Sequence, residues 1–415
     1  ADGQRIEIQE AATLASRAGG DTWLRKLDST HADLTLGSVA AINPSASFGG
    51  AVSSLDGLVT TANDGRIALV NETGALTATR NLSANGAGSI DLRTHGVGQA
   101  ITLDGATLSS TSGQVQLIAG GNIATTTSDG STTEIATAGN ALLVAGGSIG
   151  ADGRRIETAG VGTLAAQSAD AQWLRQTSGS LTIGAVTGLK PADTGGPDKA
   201  GLVSTTGDAP IALDVAAGAL SVAQDVSAHG AGSVDLRTGG SGNAIAIDGA
   251  SLRSTTGQVQ VIASGDIRTS TADGNTPEIS TAGNALLVAG GAIGNEGRRI
   301  ELSGVTTLAT QSADTQWLSH GGGNLALGAL TGVNAGPVLG GLQATGAGSD
   351  ISLRTQGGSL ALDQGVSIAG GTGTVTLESA GAISQAADAS ARILADKARV
   401  VAAAGFPAAA EVAEQ

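Results

Sequence analysis

Short runs in which apolar and polar residues alternate recur along the whole chain. Gln114, Val115, Gln116, Leu117 returns as Gln258, Val259, Gln260, Val261 and, in the same style, as Thr374, Val375, Thr376, Leu377. A period of two sends Val and Leu to one side of an extended strand and Gln and Thr to the other. The same pattern predicts strands at Ile101 to Leu103, Leu181 to Ile183, Ile245 to Ile247, Leu325 to Leu327 and Leu360 to Leu362. Clusters such as Ser112 and Gly113, Asp104 and Gly105, and Asp248 and Gly249 stand between the runs and supply turns. The strands come too often for helical crossovers, and the one stretch that carries a helical pattern is Ala391 to Ala404.

On a larger scale the chain repeats itself. ADGQRIE at residues 1–7 returns as ADGRRIE at 151–157 and NEGRRIE at 295–301, and residues 133–157 match residues 277–301 at 20 of 25 positions with an offset of 144. These returns divide one continuous body into units 1–150, 151–294 and a partial third, 295–415, with Trp23, Trp173 and Trp317 at equivalent points. Short strands, tight turns and a long repeat predict an all-β chain wound as a parallel β-helix, a solenoid in which each coil buries its apolar side against its neighbours. With roughly 20 to 24 residues per coil and ~4.8 Å between coils, a unit holds about seven coils and rises about 33 Å. The architectural alternative is a tandem of β-sandwiches, whose inner faces usually carry aromatic residues.

Composition sharpens this picture. The chain has 66 Gly among 415 residues, three Trp, two Phe and no Tyr, Met or Cys, so small and β-branched side chains must fill a narrow interior. A formal charge of −15 and a pI near 4.5 argue against nucleic acid and against an anionic membrane surface as partners. No apolar run approaches the ~20 residues of a spanning helix, so no membrane insertion is expected. The lack of cysteine suits a chain that crosses an oxidising periplasm without being locked by disulfides. Ala1 already lies inside a repeat motif, which is expected of a piece of a longer protein.

The run at 146–186, GGSIGADGRRIETAGVGTLAAQSADAQWLRQTSGSLTIGAV, resembles the repeats of filamentous-haemagglutinin-like exoproteins, the large adhesins of bacterial two-partner secretion. The shared pattern is a Gly-x-Ile-Gly turn, here Gly147 to Gly150 and Gly291 to Gly294, then an Arg-Ile strand and a Leu-Ala-Ala strand. A Gly-x-Leu-Thr-Ile-Gly strand follows, at Gly179 to Gly184 and in altered form at Asn324 to Gly328. The resemblance implies a right-handed parallel β-helix, export through an outer-membrane transporter, and a role in adhesion, aggregation or biofilm at the surface of a Gram-negative bacterium. Asn43, Pro44, Ser45 lacks the second Asn of the Asn-Pro-Asn motif found in the family's secretion domain, so the resemblance points to the shaft.

Candidate chemistry is sparse. Asp91 and Arg93, and Asp235 and Arg237, lie two apart and share a strand face. They read either as acid and cation of a polysaccharide-cleaving groove or, more plainly, as solvated surface pairs worth ~0–1 kcal/mol. Ser352 beside Arg354 breaks the series in the third unit. Asp104, Asp248 and Asp363 read as caps of their own turns rather than calcium ligands, since the Gly-Gly-x-Gly-x-Asp succession is missing. His31, His95, His229 and His320 show no metal-ligand spacing, and no phosphate loop occurs, so neither metal nor cofactor is expected.

Trp23, Trp173 and Trp317 are candidate platforms for glycan stacking if they face outward with Leu24, Leu174 and Leu318 inward; filling a coil corner is their plainer role. The segment Thr187 to Ala200 differs in length from its counterparts near Ala41 to Gly50 and Thr331 to Gly341 and reads as an excursion from the coil. The expected function is a non-enzymatic shaft of a secreted or cell-surface adhesin, its partners extracellular polysaccharide or a neighbouring cell surface. The alternatives are an end-to-end polymerising fibre subunit, with Pro407 to Gln415 as a cap, and a β-helix polysaccharide lyase or hydrolase.

Overall fold

The computed structural model describes residues 5–27, 30, 32–41, 53–190, 195–387 and 389–406. Ala1 to Gln4, His31, Asn43 to Ser45 and the tail Pro407 to Gln415 lie outside them. The described residues form a parallel β-helix and fall into two compact units, 1–218 and 219–415, whose border lies inside the second sequence repeat.

In unit 1 three parallel ladders run side by side. The first contains Thr22–Lys26, Ile67–Asn71, Ile90–Thr94, Val115–Ala119, Asn140–Ala145 and Thr163–Ser168, each paired in parallel with the next. The second contains Leu34–Leu36, Leu76–Ala78, Ile101–Leu103 and Ile123–Thr125. The third runs from Ser16–Ala18 through Leu58–Thr60, Leu82–Ser83, Leu108–Ser109 and Ile135–Ala136 to Ile156–Ala159 and beyond. Ile67, Ile90, Val115, Ala141 and Leu164 are register partners in turn, which gives coils of 23, 25, 26 and 23 residues, slightly longer than the sequence leads one to expect.

Unit 2 repeats the winding. Val234, Val259, Ala285 and Leu308 follow one another in register at 25, 26 and 23 residues, the same coil lengths as from Ile90 to Leu164. The segment with a helical pattern is extended instead: after a single 3-10 turn at Ala389–Ala391 come strands Ile393–Leu394 and Lys397–Ala402, the latter paired with Thr374–Ser379. Ala is the best helix former, but intrinsic propensity yields to tertiary context, and the open ladder beside this segment offers six residues of strand pairing.

Period-two alternation explains the interior. Leu69, Leu92, Leu117 and Leu143 stack in one column, and Leu34, Leu76, Ile101 and Ile123 in another, all at most 1% exposed. Truncating any of these to Ala removes contacts from two neighbouring coils and costs about 2–5 kcal/mol. Glycines make one corner possible. A Cβ on Gly88 would stand 2.1 Å from the Gly65 carbonyl oxygen, and one on Gly113 would stand 2.0 Å from that of Gly88. Backbone therefore lies directly on backbone there, closer than any side chain permits.

The charged groups and amides that enter the interior do so with partners made for them. Lys26 and Asn71 are register partners, both fully buried, and both donate to the Ala32 carbonyl, at 3.2 and 3.0 Å. Glu134 is 1% exposed and accepts from the Thr125 and Thr127 hydroxyls and the Glu157 amide; Glu278 does the same with Thr269, Thr271 and Glu301. Burial raises both carboxyls above the usual carboxylate range, against the pull of those donors.

His320 departs from this pattern. It occupies the interior place that Gln176 holds 144 residues earlier, is fully buried, and neither ring nitrogen makes a hydrogen bond of good geometry. Gln176 instead donates to the Val161 carbonyl at 3.0 Å and accepts from Thr158. Burial pushes the His320 imidazole below its ordinary range, the Val305 carbonyl opposing in part. The unfolded chain therefore takes up a proton first, at about pH 6.5, and stability is lost as pH falls from there toward the lower folded value. His320→Gln is expected to remove this loss: urea midpoints of variant and parent should diverge progressively between about pH 7 and pH 5. Parallel midpoints across that window would refute the assignment.

Candidate functional site

Each unit carries a hairpin that leaves the coil and folds back over the outer face of the first-described ladder or its counterpart. In unit 1 the hairpin pairs Ala185–Val186 with Lys199–Ala200, antiparallel, and its residues 191–194 lie outside the described ones. Val186 packs on Leu142, Ala165 and Val144, which point outward and would otherwise meet water. Further along, the Leu189 amide donates to Gln116 Oε1 at 2.8 Å, and Arg93 Nη2 donates to the Leu189 carbonyl at 2.7 Å. Gln114 Nε2 reaches the Thr187 carbonyl at 3.0 Å. We call this element a strap.

Beneath the strap lies an ion pair. Arg93 Nη2 and Nε meet Asp91 Oδ2 and Oδ1 at 2.8 and 2.9 Å, and Gln116 Nε2 donates to Asp91 Oδ1 at 2.9 Å. The side chains of Arg93 and Asp91 are only 3% and 4% exposed, so the pair is not the solvated surface bridge that its place in the sequence suggests. Burial raises the proton affinity of Asp91, while Arg93 and Gln116 pull it back down. The outward Gln116 is likewise fully buried, because the strap covers the face that alternation assigns to solvent.

Unit 2 builds the same arrangement from residues 144 further on. Its strap pairs Ala329–Thr331 with Val338–Gly340 and buries Leu330 and Leu339 against Leu286 and Ala309. Arg237 Nη2 donates to the Val333 and Asn334 carbonyls at 2.8 and 2.7 Å, Gln260 Nε2 to Asp235 Oδ1 at 2.7 Å, and Asn334 Nδ2 to Asp235 Oδ2 at 2.8 Å. Asn334 and Ala335 sit at φ of 48° and 56°, which gives this shorter strap its tight tip. The Arg237 side chain is 26% exposed against 3% for Arg93, so this ion pair is the wetter of the two.

The tryptophans face outward. Trp23, Trp173 and Trp317 are each half-buried, with Leu24, Leu174 and Leu318 inward at 5%, 1% and 0% exposure. Trp23 is the register partner of Ala68, and Ala68 of Asp91, so the indole and the strapped ion pair stand two coils apart on one face. A groove of about 370 Å³ lies between them, lined by Trp23, Arg66, Ala68, Gln114, Leu189 and Lys190 among others. Trp317 lines a smaller hollow of about 250 Å³ with Asp350, Ser352, Thr376 and Glu378, and the Arg299 guanidinium lies 5.0 Å from its ring centre. Trp173 pairs with Ala212 as Trp23 does with Ala68.

The remaining candidates scatter. Asp104 accepts from Thr126 and Asp248 from the Ser270 amide at 3.0 Å, so these two aspartates cap the following coil rather than their own turns; Asp363 is exposed. His95 meets Glu72 at 2.8 Å, and although burial pushes the Glu72 carboxyl up, Arg25 at 2.6 Å and His95 outweigh it and hold the group below its usual range. Arg354, which lacks a neighbouring Asp, pairs instead with Asp273 at 2.9 Å. Among the described residues no three His, Asp or Glu side chains stand where they could hold a metal ion.

Removing Asp91 strands a buried guanidinium. Asp91→Ala is expected to cost about 3–5 kcal/mol in chemical denaturation, Asp235→Ala less because Arg237 can hydrate, and Asp91→Ala with Arg93→Met to recover part of the loss. Equal costs for the two single variants would show that strap burial does not set the strength of the pair. The chain matches no family model, no curated protein and no solved structure.

Proposed function

We propose that this chain is a length of the structural shaft of a secreted or cell-surface bacterial adhesin, carried across the outer membrane by a dedicated transporter and presented toward polysaccharide or a neighbouring cell. The observation that supports it is the continuous register of the ladder that runs from Thr22–Lys26 to Thr163–Ser168. From Trp23 through Ala68, Asp91, Gln116 and Leu142 to Ala165, each residue has a strand partner on the coil before or after it. A shaft needs a body in which every coil is held by the next, so that a binding surface can be displayed at a distance from its anchor. Parallel ladders supply that by backbone hydrogen bonds, independent of which residues face outward. The absence of cysteine from the sequence fits passage as an unfolded thread.

The straps fit the same reading. They carry the length differences between repeats, 187–200 against 331–341, while the coils beneath keep their lengths. Display is therefore separated from support. Antibodies raised against the purified chain are expected to label intact, unpermeabilised cells of the organism that makes it, and shaving those cells with protease is expected to release the antigen. Labelling that appears only after lysis would overturn the reading.

A further inference from the structure

The groove beside Trp23 differs from the rest of the outer face in its chemistry. Ala68 places a methyl group between an indole and a covered ion pair, and so leaves a hollow two to three strand spacings across, about 10–14 Å. That is about the span of a disaccharide. Trp23 forms one wall and the strap residues Leu189 and Lys190 the other, with Arg66, Ser89 and Gln114 also lining it. Arg66 and Lys190 are exposed, and neither pairs with an acid among the described residues.

The carboxylates beside the groove are engaged. Asp91 is closed off by Arg93 and Gln116, Asp21 accepts the Arg66 amide at 2.9 Å, and Asp64 accepts the Ala87 amide at 2.9 Å. The charge of Arg5 also reaches Asp91. Two exposed cations with no acid partner among the described residues therefore stand beside an aromatic wall in a chain of formal charge −15. A ligand that brings both a flat apolar ring face and negative charge satisfies all three side chains at once.

We propose that this groove binds an anionic oligosaccharide, with the Trp23 indole stacked on a sugar ring and Arg66 and Lys190 holding its acidic groups. The assignment stands apart from the shaft reading, since binding in solution does not require display on a cell. Titration calorimetry of the whole chain with tetragalacturonate, a sulfated chondroitin tetrasaccharide and neutral maltotetraose tests it, and the first two distinguish carboxylate from sulfate as the anion. At least one anionic sugar is expected to bind about tenfold or more tightly than maltotetraose, and to weaken as salt rises from 0.05 to 0.5 M at a Debye length of about 14 to 4 Å. Trp23→Ala and Lys190→Glu are each expected to weaken that binding by about tenfold or more. Lys190 is exposed on the strap, so its variant keeps the fold and carries the test should Trp23→Ala perturb the sheet. Failure of both anionic sugars to bind, equal affinity for the neutral one, or binding unchanged in Lys190→Glu would each overturn the proposal.

Discussion

In a parallel β-helix every interior residue lies one strand spacing above another, and that constraint governs what this chain can place anywhere. A column accepts only residues that tolerate their own kind as neighbours. Leucine and isoleucine do so in the Leu69 and Leu34 columns, where aliphatic groups interlock without polar atoms to satisfy. Glycine does so at the corner of Gly65, Gly88 and Gly113, where carbonyl oxygens of one coil occupy the space of the next coil's Cβ. Lys26, Asn71, Glu134 and Glu278 depart from the rule, and each does so with hydrogen-bond partners supplied by a nearby loop or coil. His320 departs from it without a hydrogen bond of good geometry to either ring nitrogen, and its burial is why its protonation bears on stability.

The straps answer a second problem set by the same geometry. Strands that form a ladder expose one face to the inside and the other to water, yet Leu142, Ala165, Leu286 and Ala309 point apolar groups outward. Folding a hairpin across them restores burial. The strap's own backbone then needs partners, and the Arg93, Gln116 and Asp91 cluster provides them from side chains that a bare outer face would leave in solvent. Burying an ion pair brings little stability by itself. Here it fixes where the strap lies, since a carbonyl and an amide of Leu189 must meet one guanidinium and one carboxamide together.

The fold was legible in the sequence because its signal is local. Ile101–Leu103, Leu181–Ile183, Ile245–Ile247, Leu325–Leu327 and Leu360–Leu362 are strands with the bounds that alternation assigns them. The sequence leaves open whether the three tryptophans face outward or fill a corner of the coil, and the structure places them outward and half-buried. What alternation cannot convey is cover that arrives from elsewhere in the chain. Gln116 and Leu189 are 73 residues apart, and nothing around Gln116 indicates that its solvent side is occupied. Alternation assigns Asp91 and Arg93 to solvent for that reason, and it gives no sign that Asp104 and Asp248 meet partners 22 residues on in the next coil. One clue was present: the pairs and the straps recur together at an offset of 144, while Ser352 lacks both the Asp and a strapped Arg beside it.

Coil lengths of 25, 26 and 23 residues recur in each unit, and within each unit the equivalent strands meet equivalent neighbours in the same register. Every coil inside a repeat therefore keeps its neighbours and its register whatever the number of repeats in the chain. An architecture built this way tolerates a change in copy number that a globular enzyme does not, because each coil depends on the coil beside it and not on a single shared centre.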